Sequence, residues 1–444
     1  MITIRSKTLL LCACFVEACW LLVAQTLNVT AILLPCLICF LLLVGWAAIQ
    51  KAAMPVILFF IPFAPLLKLR PGTISFFTIA LLLTYGICAV TGSRQIKVLH
   101  LIPALLLVVM TLIVKTAYGY SADNTYIMLA ITLLLVPFLV HEMDETYDFF
   151  WLAVCFALGI CLAAITAQYL TIFPTISRYI TIDVNAAFAI SRRSGYVGDP
   201  NFYSAHITTA LSGILLLLLK ETKRNKQVVL AALACLLLYC GMLSVSKSFV
   251  LISLCLLLLW VVTLLLQRGK LSIKVTLIVT LAVVGVFLLS STVFTDMLDQ
   301  VFSRFSQGSN MSDFTTGRTD VWMSYISAMF EDVKLLLFGQ GCTRVILGEK
   351  ATHNTLLQCI FQLGIIGIAL LILWIVFFFQ TLLRGVRLQK QQIVRLAMVL
   401  IGTFGPWIAL DYLFFDEFFL LPIFVCMAVR FLHQQQEQKE SLLE

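Results

Sequence analysis

The segment FVLISLCLLLLWVVTLLL, Phe249 to Leu266, runs for eighteen residues without a charged side chain. An α-helix of about 20 apolar residues crosses the roughly 30 Å hydrocarbon core of a bilayer, and this run has no polar face to offer water. It reads as a membrane span, and comparable runs lie on both sides of it. The whole chain of 444 residues is 61% hydrophobic and only 12% charged, with a mean hydropathy of +1.04. A soluble domain with a polar surface is excluded.

Working outward, apolar runs place spans near 8–25, 31–49, 53–67, 73–91, 99–115, 125–141, 149–172, 203–219, 228–246, 249–266, 273–292, 354–380, 392–410 and 417–432. The short third run is broken by Pro55, Pro62 and Pro65, which suits a kinked or re-entrant element. Twelve to fourteen spans is therefore the expected range, in one all-α integral membrane domain over residues 1–444. The first run, Leu9 to Val23, follows Arg5 and Lys7 as a signal sequence would, but lacks a small-residue cleavage site and is expected to stay as a helix.

Charge fixes the orientation. With the N-terminus inside, the connectors Arg94 to Lys97, Lys220 to Lys226, Gln267 to Lys270 and Arg384 to Lys390 fall inside, and most Lys and Arg lie there, as positive-inside topology requires. That bias accounts for the net charge of +8 without nucleic acid as a partner. Two outside connectors are long, 173–201 and 293–353, and long loops in a compact bundle are usually functional. They hold Arg178, Arg192, Arg193, Arg304, Arg318, Lys334, Arg344 and Lys350, against the inside bias. An anionic ligand is the simplest reason for that placement.

The first loop reads Ser191-Arg192-Arg193-Ser194-Gly195-Tyr196-Val197-Gly198-Asp199-Pro200-Asn201 and runs directly into a span. Two guanidiniums, flexible glycines and a proline-fixed helix entry suit an anion cradle. Arginines seated at lipid headgroups are the alternative. Between the ninth and tenth spans only Ser244 to Ser248 make the turn, so Lys247 stands at the membrane boundary. Such a cation either snorkels to headgroups or has a task.

The second loop contains Thr315-Thr316-Gly317-Arg318-Thr319-Asp320-Val321-Trp322, a turn into an amphipathic interfacial helix with Trp322, Ile326, Met329 and Phe330 expected on one face. Arg318 begins that helix, as a functional cation or as a headgroup or intrahelix partner. The loop closes with Gly339-Gln340-Gly341-Cys342 and then Ala351-Thr352-His353-Asn354-Thr355-Leu356-Leu357, which holds His353 at the mouth of a span. An interfacial hydrogen-bonding role and a role as base for a hydroxyl proton both fit a histidine there. Of the fourteen cysteines, all but Cys342 lie in or beside apolar runs, without zinc or disulfide spacing.

These segments, in this order, resemble the O-antigen ligase and Wzy-type O-antigen polymerase family of membrane glycosyltransferases, best from about Arg192 to Gly367. The family's arginine, glycine and Pro-Asn helix start match Arg192, Gly195, Pro200 and Asn201. Its Gly-Arg-x-x-x-Trp pattern matches Gly317 to Trp322, and its His-Asn-x-x-Leu pattern matches His353 to Leu357. A further family arginine falls at Lys247, which keeps the charge and loses bidentate clamping.

The resemblance implies a GT-C-like bundle that transfers a glycan from an undecaprenyl-diphosphate carrier to an acceptor sugar hydroxyl on the outer face of the cytoplasmic membrane. Polymerase is the preferred form, with a lipid-linked repeat unit as acceptor. A ligase acting on lipid A core and a non-catalytic transporter or flippase are the alternatives. His353 is then the expected base, with Asp320 as second choice, and Arg192, Arg318 and Lys247 the expected cations at the diphosphate. Arg193, Gly195, Asp199, Asn201, Arg304 and Asn354 are the further expected substrate contacts. No Asp-x-Asp motif occurs in an outer loop, and Glu142-Met143-Asp144-Glu145 falls inside, so an inverting reaction without metal or cofactor is expected. Membrane lipids, a chain-length regulator and a flippase are the partners the family implies.

Overall fold

The computed structural model describes residues 4–266 apart from 71, 92–96, 143–147, 181, 186–189 and 222. It further describes 295, 298–300, 302–303, and 317–441 apart from 349. The expected span at 273–292, Arg304 and most of 293–316 lie outside the described residues.

The chain is an all-α helix bundle and a multi-pass membrane protein. In order, the helices are α1 (Ile4–Leu27), α2 (Thr30–Ile49), α3 (Ala53–Phe60), α4 (Phe76–Thr91), α5 (Val98–Ala117), α6 (Asn124–Glu142), α7 (Phe149–Leu170), α8 (Pro174–Ser177), α9 (Pro200–Leu218), α10 (Arg224–Met242) and α11 (Lys247–Leu266). They continue as α12 (Arg318–Glu331), α13 (Val333–Phe338), α14 (Thr355–Leu382), α15 (Lys390–Phe404) and α16 (Glu417–Ser441). Ten of the described helices are long and apolar enough to cross a bilayer, and three apolar helical segments are shorter: Ala53–Phe63, Phe76–Thr91 and Asn124–Leu139.

The proline-rich third run is one of the short segments. α3 passes into a 3-10 turn at Ile61–Phe63, every residue from Ala53 to Phe63 is buried, and at about 1.5 Å per residue the segment is too short to cross. It crosses α7 at Gly159, where a Cβ would lie 2.1 Å from the Phe59 carbonyl oxygen. Only glycine permits that approach.

α9 lies at the centre, with almost all of its residues buried. Its small polar residues meet α15 closely: Thr208 Oγ1 donates to the Gly402 carbonyl at 2.8 Å, the kind of contact that joins helices where lipid offers no hydrophobic drive.

α14 breaks at Gly364, whose φ of +68° is outside the helical region. The carbonyl of Phe361 accepts the Gln340 N–H at 3.0 Å, and that of Gln362 accepts those of Gly341 (3.0 Å) and Cys342 (3.3 Å). Neighbouring chain thus meets the polar groups that a broken membrane helix frees. The sequence Gly339-Gln340-Gly341-Cys342 serves this kink, and Cys342 is buried and free of any disulfide. Lys115, itself buried, fixes the same loop by donating to the Cys342 carbonyl at 3.3 Å and pairing with Asp123 at 3.0 Å.

α12 is amphipathic as expected, with one change of face. Tyr325 and Met329 are buried, and Trp322 and Ile326 pack with them against Leu335, Leu357 and Phe361. Phe330 is 73% exposed and Met323 61%, because both fall on the flank of the helix while Tyr325 takes the centre of the inner face.

Candidate functional site

The described part of the first loop carries regular structure. Strands β1 (Ile182–Asn185) and β2 (Ile190–Arg193) pair antiparallel, with Asp183 opposite Arg192. The Arg193 N–H extends the pairing by donating to the Leu243 carbonyl at 3.0 Å, so β2 is held against the turn between α10 and α11.

Alternation along β2 sends its two arginines to opposite sides. Arg192 Nε donates to the Ser244 carbonyl at 3.1 Å, and its Nη2 donates to Asn201 Oδ1 at 3.0 Å. Ser246 Oγ donates to the same Asn201 oxygen at 3.1 Å. Asn201 therefore ties together β2, the start of α9 and the α10–α11 turn, and Lys247 stands half-buried one residue beyond that turn. Arg193 lines a separate small cavity with Gly195, Gln168 and Tyr203, so it does not join Arg192. Gly195 has φ +58°, and a Cβ there would lie 3.2 Å from the Tyr203 ring.

Asp199 caps α9. Its Oδ1 accepts the N–H groups of Asn201 at 2.6 Å and Phe202 at 3.3 Å, and Pro200 supplies a helical first residue that has no N–H to satisfy. Asn354 likewise caps α14, accepting the Leu357 N–H at 3.0 Å. Both were expected at the substrate, and the geometry gives each a structural task that accounts for its residue type.

Arg318 begins the inner face of α12, one turn before Trp322. Burial lowers the pKa of its guanidinium, Asp199 raises it, Arg192 lowers it and Asp411 raises it. These opposing effects identify its electrostatic neighbours: Arg318 has Arg192, Asp199 and Asp411 about it, so the four residues come from three separate stretches of chain. Two guanidiniums sharing a partly buried region favour an added anion. Asp320 projects from the opposite side of α12 and is exposed, so it is not brought to this cluster.

His353 is held by a residue the sequence reading missed. Asp411, in the connector before α16, accepts the His353 N–H at 2.9 Å and the Asn354 N–H at 3.4 Å, as well as the Thr352 hydroxyl. His353 Nδ1 lies 3.6 Å from Asp411 Oδ2, with the histidine side chain 43% exposed and the aspartate 13%. Trp322 Nε1 donates to the Thr352 carbonyl at 2.9 Å, so the helix that carries Arg318 also bonds the turn that carries His353. The turn is left-handed at His353, φ +46°, and three contacts with one carboxylate hold it there.

A pocket of about 190 Å³ lies beneath this turn, lined in part by Asp411, Thr352, Tyr325, Gln358 and Arg344. Arg344, one of the basic residues of the second loop, has its guanidinium over the Phe414 ring at 5.1 Å. Burial lowers its pKa while Asp123 raises it. The one signal for Asp411 was an acidic residue in a short connector between two apolar runs.

The structure thus joins Arg192, Asn201, Arg318 and His353 at one end of the bundle, with Lys247 adjacent. It leaves Arg193 and Asp320 outside that group. No protein-family model matches this chain, and no curated protein matches it either.

Proposed function

We propose that the chain is a membrane glycosyltransferase of the O-antigen polymerase type. It moves a glycan from an undecaprenyl-diphosphate carrier to an acceptor sugar hydroxyl at the outer face of the cytoplasmic membrane. The observation that carries this reading is a half-buried Arg318 on the helix whose Trp322 bonds the His353 turn, with Arg192 among its electrostatic neighbours and Asp411 backing a half-exposed His353.

In this reading the acceptor oxygen attacks the anomeric carbon from the face opposite the diphosphate. The carbon–oxygen bond to the diphosphate breaks, and its electron pair leaves with the phosphate. Cations fixed where that charge develops can lower the barrier by several kcal/mol, because they need no reorganisation at the moment of reaction. Arg318 and Arg192 fill this role, with Lys247 as the third cation. The acceptor proton passes to His353 Nε2, since Nδ1 faces Asp411, and Asp411 steadies the imidazolium that results. No metal is required in this scheme.

The test uses the purified full chain and a lipid-linked repeat unit, with product length followed by gel. His353→Ala should lower transfer by about 10²–10⁴-fold, the usual contribution of a positioned base. Arg318→Ala should lower it by about 10²–10³-fold, with EDTA without effect. Full-length polymer from either variant would end the reading.

A further inference from the structure

A second cavity, of about 600 Å³, adjoins the site, within the ~300–1,000 Å³ range of cavities that hold small molecules. It and the pocket beneath His353 share Arg344, Phe414 and Phe415 as lining residues. Asp199 and Phe202, at the start of α9, form another part of its wall. A ligand within it would therefore stand one layer of side chains from Asp411 and next to the residues that anchor Arg192.

Its lining is of mixed charge. The charged groups in its lining are Lys68 and Arg344 against Asp199, Asp416 and Glu417. Two of the carboxylates are engaged at the wall, Asp416 accepting from Thr78 Oγ1 at 3.2 Å and Glu417 lying 3.2 Å from His206 Nε2. A diphosphate would meet no excess of positive charge there, since Lys68 and Arg344 are matched by Asp199 and Glu417 even with Asp416 protonated. Carboxylates only accept hydrogen bonds and ammonium and guanidinium groups only donate. Hydroxyls do both, so a hydroxyl-rich ligand satisfies this mixed wall where an anion does not. Phe202, Phe415 and Phe419 add aromatic surface suited to the C–H faces of a sugar ring.

We infer that this cavity binds the neutral, hydroxyl-rich end of the acceptor glycan, so that donor diphosphate and acceptor sugar occupy adjoining compartments. The acceptor's role rests on the glycosyltransfer reading above, whereas saccharide binding in the cavity can be measured without any turnover.

The experiment applies the full-length protein in nanodiscs to an immobilised panel of neutral and acidic bacterial oligosaccharides, and separately titrates inorganic pyrophosphate. Thr125→Trp and Ile74→Trp fill the cavity from two different walls, and Phe415→Ala removes stacking surface without filling it. Neutral oligosaccharides should be retained by the wild type, and each of the three variants should weaken that retention by about tenfold or more. Pyrophosphate binding should be unchanged in these variants, which also reports their folding, and should be lost in Arg318→Ala. If the wild type retains no neutral oligosaccharide, prefers acidic ones, or binds equally well after filling, the cavity assignment is overturned. Pyrophosphate binding indifferent to Arg318→Ala would instead overturn the diphosphate reading and leave the cavity result standing.

Discussion

Asp411 accepts the backbone N–H of His353 at 2.9 Å across 58 residues of sequence and stands 3.6 Å from the Nδ1 of the same residue. One carboxylate thereby sets both the turn that presents the imidazole and the face of the ring that stays free. If Asp411 acts through His353, Asp411→Asn should cost transfer activity by a large factor, yet the double variant with His353→Ala should be no slower than His353→Ala alone, because residues acting as a unit are not additive. Initial rates of the three proteins decide it, and a double variant slower by the product of the two single effects would refute the coupling.

The kink of α14 makes a prediction about stability. Gly364 has φ +68°, and a Cβ there would lie 2.4 Å from the Leu337 carbonyl oxygen and 2.5 Å from the Gly339 nitrogen. Gly364→Ala should cost about 2 kcal/mol or more, since left-handed strain and a backbone clash combine. Gly86→Ala, on a helix with open space around it, should cost nothing. Thermal unfolding in detergent compares them, and equal melting temperatures would show that the kink is not obligatory.

Asp416 predicts a dependence on pH. Burial, then the neighbouring Glu417, raise its carboxyl to about 7, with the Thr78 hydrogen bond opposing, whereas a carboxyl in an unfolded chain titrates near ~4. The folded state therefore favours the protonated form, and the stability this contributes is present below about pH 4 and lost as pH rises through about 7. Relative to Asp416→Asn, the wild type should lose melting temperature between pH 5 and pH 8. Parallel curves for the two proteins would exclude Asp416 as the group responsible.

Much of the bundle was legible because a long apolar run has few other fates: Phe249 to Leu266 could only be a buried or lipid-facing helix. Arg192, Arg318 and His353 stood out because charged and titratable groups are conspicuous at the edge of such runs. Asp411 did not, since a single carboxylate in a short connector gives no sign of which distant turn it will meet. The strand pair Ile182–Asn185 and Ile190–Arg193 was missed because strands of four residues are too short to show a clear alternation. Asp199 and Asn354 illustrate the reverse error. A polar residue before a helix satisfies free N–H groups whether or not a ligand is near, so its presence there says little about binding.

The packing of α12 and α13 onto the first half of α14, through Tyr325, Met329, Leu335, Leu357 and Phe361, ties Arg318 and His353 to one group of helices. Arg192 belongs with a different group, bolted to α9 and the α10–α11 turn through Asn201. The two cations are thus held by separate sets of contacts. Moving one set against the other would change the spacing of the cation pair, while the Trp322–Thr352 bond keeps the imidazole in step with Arg318.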